Sequence, residues 1–342
     1  MKQLDKLKKV GNIKILYFLL TLSVIIFASI SITIGVADIT TKDVIDILAY
    51  KLMGRPLGEH ISSGQQTIVW TLRLPRILMA ILTGANLAVT GAVYQAIFRN
   101  DMADPYMLGI SSGASLGAAI GFVMGGFSPF YAFIGALVAN VLVLKLSGVR
   151  ERVSTIRLLL SGMAINYFFS SFLSLIRTYA QDKSITIFAW GMGSLSAASY
   201  TRVGILAGIT LPILSIFLVY RKELNLLLMG EDAAKTLGVD VTRVRKLLLV
   251  LSSILIATTV SFTGTIGFVG LVIPHIVRLI FGYNYKVTLP ICGLFGMLFL
   301  LFCDNLSRAL GTNGEIPIGI ITSLLGAPYF MYLIYRGRKG ER

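Results

Sequence analysis

Residues able to do chemistry are few in this sequence, and almost all of them interrupt long apolar stretches. Asn86, Gln95, Asn140, Asn166, His275, Asp304 and Asn305 are the main polar interruptions. An ionisable side chain inside such a stretch is a functional candidate by default. A proton-coupled carrier would bury a carboxylate, or a pair of them, near the middle. Asp304 is the one acid inside an apolar stretch and lies toward its end, so a proton relay is disfavoured. The amides read first as helix-to-helix hydrogen bonders, with Asn86, Gln95 and Asn166 kept as candidates for lining a pathway. His275 follows Pro274 in GLVIPHIVRL, and only one other histidine exists. With no second His, Cys or carboxylate at ligand spacing, no protein-built metal site is expected. Neither a G-x-x-x-x-G-K-S/T phosphate loop, a G-x-S-x-G elbow nor an H-E-x-x-H pair occurs. Nucleotide hydrolysis and hydrolase chemistry by this chain are therefore not expected, and no catalytic residue is assigned.

The elements that must position these residues are membrane helices. Charged residues make up 14% of the 342 positions and hydrophobic ones 55%, with a mean hydropathy of +0.80; about a quarter of an ordinary soluble domain is charged. The apolar runs approach the roughly 20 residues that span a bilayer as a helix. Strands would alternate with a period of two, so the fold class is an all-α polytopic bundle. Ten spans are expected near 15–35, 76–98, 106–126, 130–148, 157–178, 203–220, 246–265, 270–283, 288–309 and 316–335, in one membrane domain covering 1–342. The eighth is short and carries Pro274. The basic N-terminal stretch runs into a long apolar helix without a small-residue cleavage pattern, and is read as retained.

Placing both termini in the cytoplasm puts 22 of the 31 Lys and Arg residues inside, as the positive-inside rule requires. The net charge of +15 is then a topology signal, and no nucleic-acid partner is expected. Nine basic residues fall outside, among them Arg73, Arg76, Arg177 and Arg308. The first two bracket Pro75 in LRLPR, where arginines at a helix mouth can snorkel to lipid phosphates. Arg177 has two readings, contact with an anionic ligand or snorkelling. TTKDVIDILAYKLMG reads as a surface helix behind Thr40 or Thr41. Gly113, Gly117, Gly121 and Gly125 form a bare stripe for close packing, or for a backbone-lined path. Cys292 and Cys303 read as buried thiols.

The inner loop NLLLMGEDAAKTLGVDVTRVRK is the most structured of the polar segments. Gly230 precedes Glu231 and Asp232, acids suited to a first helical turn, and Gly238 closes the short helix. Such a helix spans nothing, and is either a docking element or a solvated loop.

LRLPRILMAILTGANLAVTGAVYQAIFRNDMADPYMLGISSGAS, LLMGEDAAKTLGVDV, GTIGFVGLVIPHIVRL and EIPIGIITSLLGAPYF, in that order, resemble the FecCD-type permeases of bacterial ABC importers for iron chelates, haem and cobalamin. The resemblance runs from about residue 15 to 335. It implies the type II importer architecture: ten spans, a second permease chain that is identical or paralogous, two ATP-binding subunits that use ATP and Mg, and an extracytoplasmic substrate-binding protein. This chain would bind no cofactor and would not be an enzyme. The resemblance implies a coupling role for 228–240, through Gly230, Glu231, Asp232, Ala233, Leu237 and Gly238. It implies a cytoplasmic constriction at Ser154 and Thr155, where a helix N-cap is a compatible role. It implies that Arg73, Arg76 and Arg308 are outer-surface residues receiving glutamates from the binding protein. A ferric siderophore or related chelate is the expected cargo, with haem or cobalamin as alternatives. An ion-coupled secondary transporter and a non-transporting membrane scaffold are the rivals from other classes.

Overall fold

A long apolar segment in lipid has no water to bond its amides, so each one closes its own hydrogen bonds as a helix. The computed structural model describes residues 13–35, 37, 39–58, 60–148, 155–311 and 314–340, all-helical with no strand among them. In chain order the helices are α1 (Ile13–Thr33), α2 (Thr41–Met53), α3 (Ser63–Phe98), α4 (Ile110–Met124), α5 (Ser128–Leu146), α6 (Thr155–Tyr179) and α7 (Gln181–Gly191). They continue with α8 (Tyr200–Val219), α9 (Arg221–Met229), α10 (Glu231–Thr236), α11 (Val241–Thr263), α12 (Val269–Phe281), α13 (Tyr285–Ala309) and α14 (Ile318–Gly340). Among the described residues seven are long and apolar enough to cross a membrane, namely α1, α3, α5, α6, α8, α11 and α13. Helices α4, α12 and the apolar part of α14 are shorter.

The largest departure from the sequence expectation is the start of α3. A first turn near Arg76 was expected, but the helix begins at Ser63, where Ser62 and Gln65 form a capping box, and runs straight through LRLPR. Pro75 would break a regular helix through its missing N–H and its clash with the preceding turn. The chain avoids this by widening residues Ile68–Arg73 into a π-type turn, with the Leu74 N–H donating to the Val69 carbonyl. Widened turns of this kind recur at functional sites. The expected surface helix is α2, capped reciprocally by Thr40 and Asp43. Hydrogen bonds from Thr40 hold the Asp43 carboxyl below its ordinary range, with His60 3.2 Å away adding to the effect. Helices α7 and α9 fall in segments expected to lie between spans, and both are regular.

Close backbone packing explains most of the glycine stripe. A Cβ on Gly113 would lie 2.3 Å from the Gly135 carbonyl oxygen, and one on Gly117 2.1 Å from that of Tyr131, so α4 and α5 pack backbone to backbone. Gly125 instead ends α4 in a left-handed conformation with open space around it. The same geometry joins α3 to α13, where Gly84 and Gly296 each approach the other's carbonyl to 2.2 Å of an added Cβ. Both cysteines are buried and unbonded.

Gly296→Val is expected to cost at least about 3 kcal/mol, the upper range for overpacking, because backbone rather than a side chain must yield. Gly208→Val, with nothing within 4 Å of the added carbon, should be neutral. Thermal denaturation of the two variants purified in detergent checks the contrast.

Candidate functional site

Polar side chains gather at the two ends of the bundle. At the end where α1 stops and α3 begins, Arg73, Arg76 and Arg308 come together. They were expected at the outer surface; within this chain their side chains are largely enclosed, with relative exposures of 6%, 7% and 6%. The reason is that each guanidinium meets an internal demand. The last carbonyls of a helix lack partners within it, and those of α1 are met by arginine. Arg73 donates through Nη1 to the carbonyls of Ile32 (2.7 Å) and Thr33 (3.2 Å), and through Nη2 to that of Ala37 (2.9 Å). Arg308 donates to Ile34 (2.7 Å) and Ser31 (3.0 Å), and to the Asn305 side-chain oxygen (2.6 Å). Asn305 in turn donates to the Ser31 hydroxyl.

Arg76 binds acids. Its Nε donates to Asp304 Oδ1 at 2.8 Å and its Nη1 to both Glu315 oxygens at 2.6 Å. Asp304 is fully buried and its second oxygen lies 3.1 Å from Arg308 Nε, one helical turn on. Among the described residues three guanidiniums thus face two carboxylates, leaving one positive charge in excess, and the hydrogen-bond partners of Arg73 are neutral carbonyls. Arg73, Arg76, Arg308 and Glu315 line a recess of about 360 Å³, walled also by Gly35, Leu72 and Gly314. The sequence pointed to the arginines, but its reading did not pair them with Asp304 and Glu315. A buried acid four residues before an arginine on one helix, Asp304 and Arg308, was the signal available.

The opposite end carries α10. Arg99, just past the end of α3, lies beside Gly230, which fixes that end. Gly230 takes φ 116° and begins the helix, while Gly238 at φ 83° ends it. The Gly238 N–H donates to the Lys235 carbonyl (2.9 Å), and that of Val239 to Ala234 (3.0 Å). Ala234 is buried, whereas Asp232, Leu237 and Gly238 are exposed and Ala233 is half-buried. Glu231 accepts a hydrogen bond from Arg245 of α11, itself 6% exposed. This partner of Glu231 was not anticipated. It fastens the short helix to a membrane span, with α9 packed alongside.

The remaining candidates divide. Asn86 and Gln95 reach no surface, which removes them as pathway linings in this conformation. Asn86 donates to Thr210 (2.9 Å) and Thr259 (3.1 Å), tying α3 to α8 and α11. Gln95 points at the carbonyls of Gly270 and Leu271. Asn166 is exposed on α6. Arg177 is half-buried, its guanidinium 5.5 Å from the Phe188 ring of α7. Ser154 lies outside the described residues, and Thr155 is placed only as the first residue of α6. No cluster of metal-ligating residues occurs among the described residues.

Residues 21–336 match the FecCD transport family. A cobalamin import system permease protein of Halobacterium salinarum is 41% identical over 284 residues, 82% of this chain and 76% of the relative. A hemin transport system permease protein of Yersinia pestis is 38% identical over 302 residues, 85% of this chain and 90% of the relative. A solved structure described as an inward-facing conformation of a metal-chelate type ABC transporter superposes with a TM-score of 0.80 at 35% identity, covering 94% of this chain and 99% of that one.

Asp304→Asn leaves Arg76 and Arg308 without their shared buried counter-charge, and breaking a buried pair from one side typically costs about 3–5 kcal/mol. The expected result is a clearly lowered melting temperature in detergent. Unchanged stability would mean that the cluster is not the clamp its geometry describes.

Proposed function

The chain belongs to the FecCD transport family and is a multi-pass membrane permease of an ABC importer, and from that premise we propose how its two polar ends divide the work. The end bearing Arg73, Arg76 and Arg308 faces outward and receives acidic side chains of a substrate-binding protein. The end bearing α10 faces the cytoplasm and seats in an ATP-binding subunit, which hydrolyses ATP with Mg. The charge count supports this orientation, with both termini inside. A second permease chain completes the pathway, and the broad exposed face of α6, with Asn166, Tyr167 and Phe168, suits that partner or the pathway itself. Ser154 and Thr155 belong to the cytoplasmic constriction in this reading, and Arg177 braces the outer helix α7.

The observation that carries the coupling half is α10 itself. Its exposed tip, Asp232, Leu237 and Gly238, is free to meet a partner while Glu231 and Arg245 hold its base on α11. A push on such a helix is delivered to a span rather than absorbed in a loop. The cargo proposed is a ferric siderophore or related metal chelate, with haem or cobalamin favoured instead by the relatives named above. ATP-dependent uptake into proteoliposomes, comparing a ferric chelate, haem and cobalamin, decides among them. Asp304 is held by two arginines and offers no free carboxylate for an ion-coupled mechanism.

Two substitutions test the two ends. Arg73→Gln keeps amide donors for the α1 carbonyls while removing the charge. Reversal at Arg76 would instead set a third acid against Asp304 and Glu315. Arg73 is buried and acts on an incoming acid through its charge across the recess, an attraction no stronger than a weak ion pair of about 0–1 kcal/mol, so docking of the binding protein should weaken by up to roughly fivefold. The loss should be greater at low salt, with ATPase-subunit assembly intact. Equal docking affinity at every salt concentration would remove Arg73 from the interface.

At the other end, Gly238→Pro forbids φ 83° and deletes a bonded N–H. Cargo moved per ATP should fall by roughly tenfold without loss of the assembled complex. A wild-type transport ratio would contradict the coupling role.

A further inference from the structure

We propose that Glu315 is an internal stand-in for the docking partner's carboxylate, a latch that an incoming acid displaces from Arg76. The inference rests on reading the arginine recess as the docking site and goes beyond it, because it names what occupies that site beforehand and what leaves. Arg76 holds two acids of different character. Asp304 is fully buried, carried on α13 and pinned between Arg76 and Arg308. The Glu315 side chain is 42% exposed, lies beyond the end of α13, and binds only the outward Nη1 corner of the guanidinium. A carboxylate arriving in the recess meets one unneutralised positive charge and one acid able to move aside. It therefore binds by exchange for Glu315, with Asp304 remaining in place.

The displaced side chain has somewhere to go. Glu315 also lines a second recess of about 590 Å³, and the cation there is Arg202. Ser196 borders both recesses, so the two adjoin across Glu315. Arg202 now donates to the Ala197 carbonyl and lies over the Phe127 ring, with no acid bound among the described residues. Moving Glu315 from Arg76 to Arg202 trades one guanidinium for another while the partner's acid takes the vacated corner.

The movement has mechanical consequences. The next residues tie this part of the chain to two neighbours, α13 and the turn after α7: the Ile316 N–H donates to Ser307 of α13, that of Ile318 to Gly193 and that of Gly319 to Met192. Ile318 begins α14, and Met192 and Gly193 directly follow α7. Release of Glu315 thus acts on the head of the last span and on the end of α7 together. Docking and opening of the outer side become one event.

The test uses the full-length chain in neutral-lipid nanodiscs, with an N-acetylated hexaglutamate peptide as the acidic probe. Removing the competitor should help the probe, so Glu315→Gln binds it roughly fivefold tighter than the unmodified chain. Glu315→Asp, which keeps the charge, should bind close to the unmodified level. The gain should vanish when Glu315→Gln is combined with Arg73→Gln. In the unmodified chain, saturating peptide should speed hydrogen exchange at Ile316, Ile318 and Gly319, a readout independent of any variant's folding. If Glu315→Gln binds equally or more weakly while Arg73→Gln still lowers affinity, the latch is overturned and the docking site stands. If Arg73→Gln leaves binding untouched, the docking reading fails and the latch fails with it. Unchanged exchange at the three amides under saturating peptide also overturns the latch.

Discussion

Everything at the arginine-bearing end of this molecule hangs on one guanidinium, that of Arg76, held against the buried carboxylate of Asp304. A charge at that depth is tolerable only when paired and hydrogen-bonded, and the pair satisfies that condition from two helices that are far apart in sequence. Arg308 shares the same carboxylate and spends its remaining donors on the end of α1. Arg73 does the same from α3. The ends of α1 and α13 are therefore fixed to α3 by one cluster. The carbonyls that end α1 carry the negative pole of its dipole, so the arginines meet a partial charge as well as hydrogen-bond acceptors.

The rest of the bundle is built so that this clamp is not wasted. Between its ends, α3 and α13 touch through Gly84 and Gly296 at distances that admit no side chain, and α4 and α5 do so through Gly113 and Gly135. Backbones this close move together, because any sliding would drive carbonyls into Cα atoms. Asn86 adds hydrogen bonds from α3 to α8 and α11. Helix α11 then carries Arg245, which holds Glu231 of α10 at the other end. A continuous set of packed and bonded elements runs from the arginine recess to the short helix, a route through which a movement at one end can reach the other.

Much of this was legible in the residues. The apolar runs give the helical class because a bilayer leaves no other way to satisfy amides. The short helix at 231–236 was readable from its flanking glycines and its acids in the first turn. The glycine stripe was readable as packing, except at Gly125, where position along the helix rather than spacing decides the role. What was not legible depends on long-range partners. Nothing local announces that α3 begins at Ser63, because Pro75 reads as a boundary until a widened turn absorbs it. Nothing local pairs Glu315 with Arg76, 239 residues apart, or Asn86 with Thr210. Helix α7 was missed because its 11 residues carry too mixed a pattern for an apolar face to stand out.

The burial of the arginines also changes the energetics of any encounter at this surface. Had Arg73 and Arg76 stood free on the outside, each new ion pair would have added a small, screened attraction. In the folded chain Arg76 is already satisfied, so a partner's carboxylate must match what it replaces before it contributes anything. An exchange of like for like is close to neutral in energy and depends strongly on geometry. In the docking proposed above, that favours selectivity and rapid release over tight binding, and the excess charge on Arg73 supplies the bias toward the incoming acid. The buried Asp304 keeps the cluster folded while it happens. A site made only of exposed arginines would bind without a consequence inside the protein, whereas one whose occupied corner is tied to the head of α14 converts docking into movement.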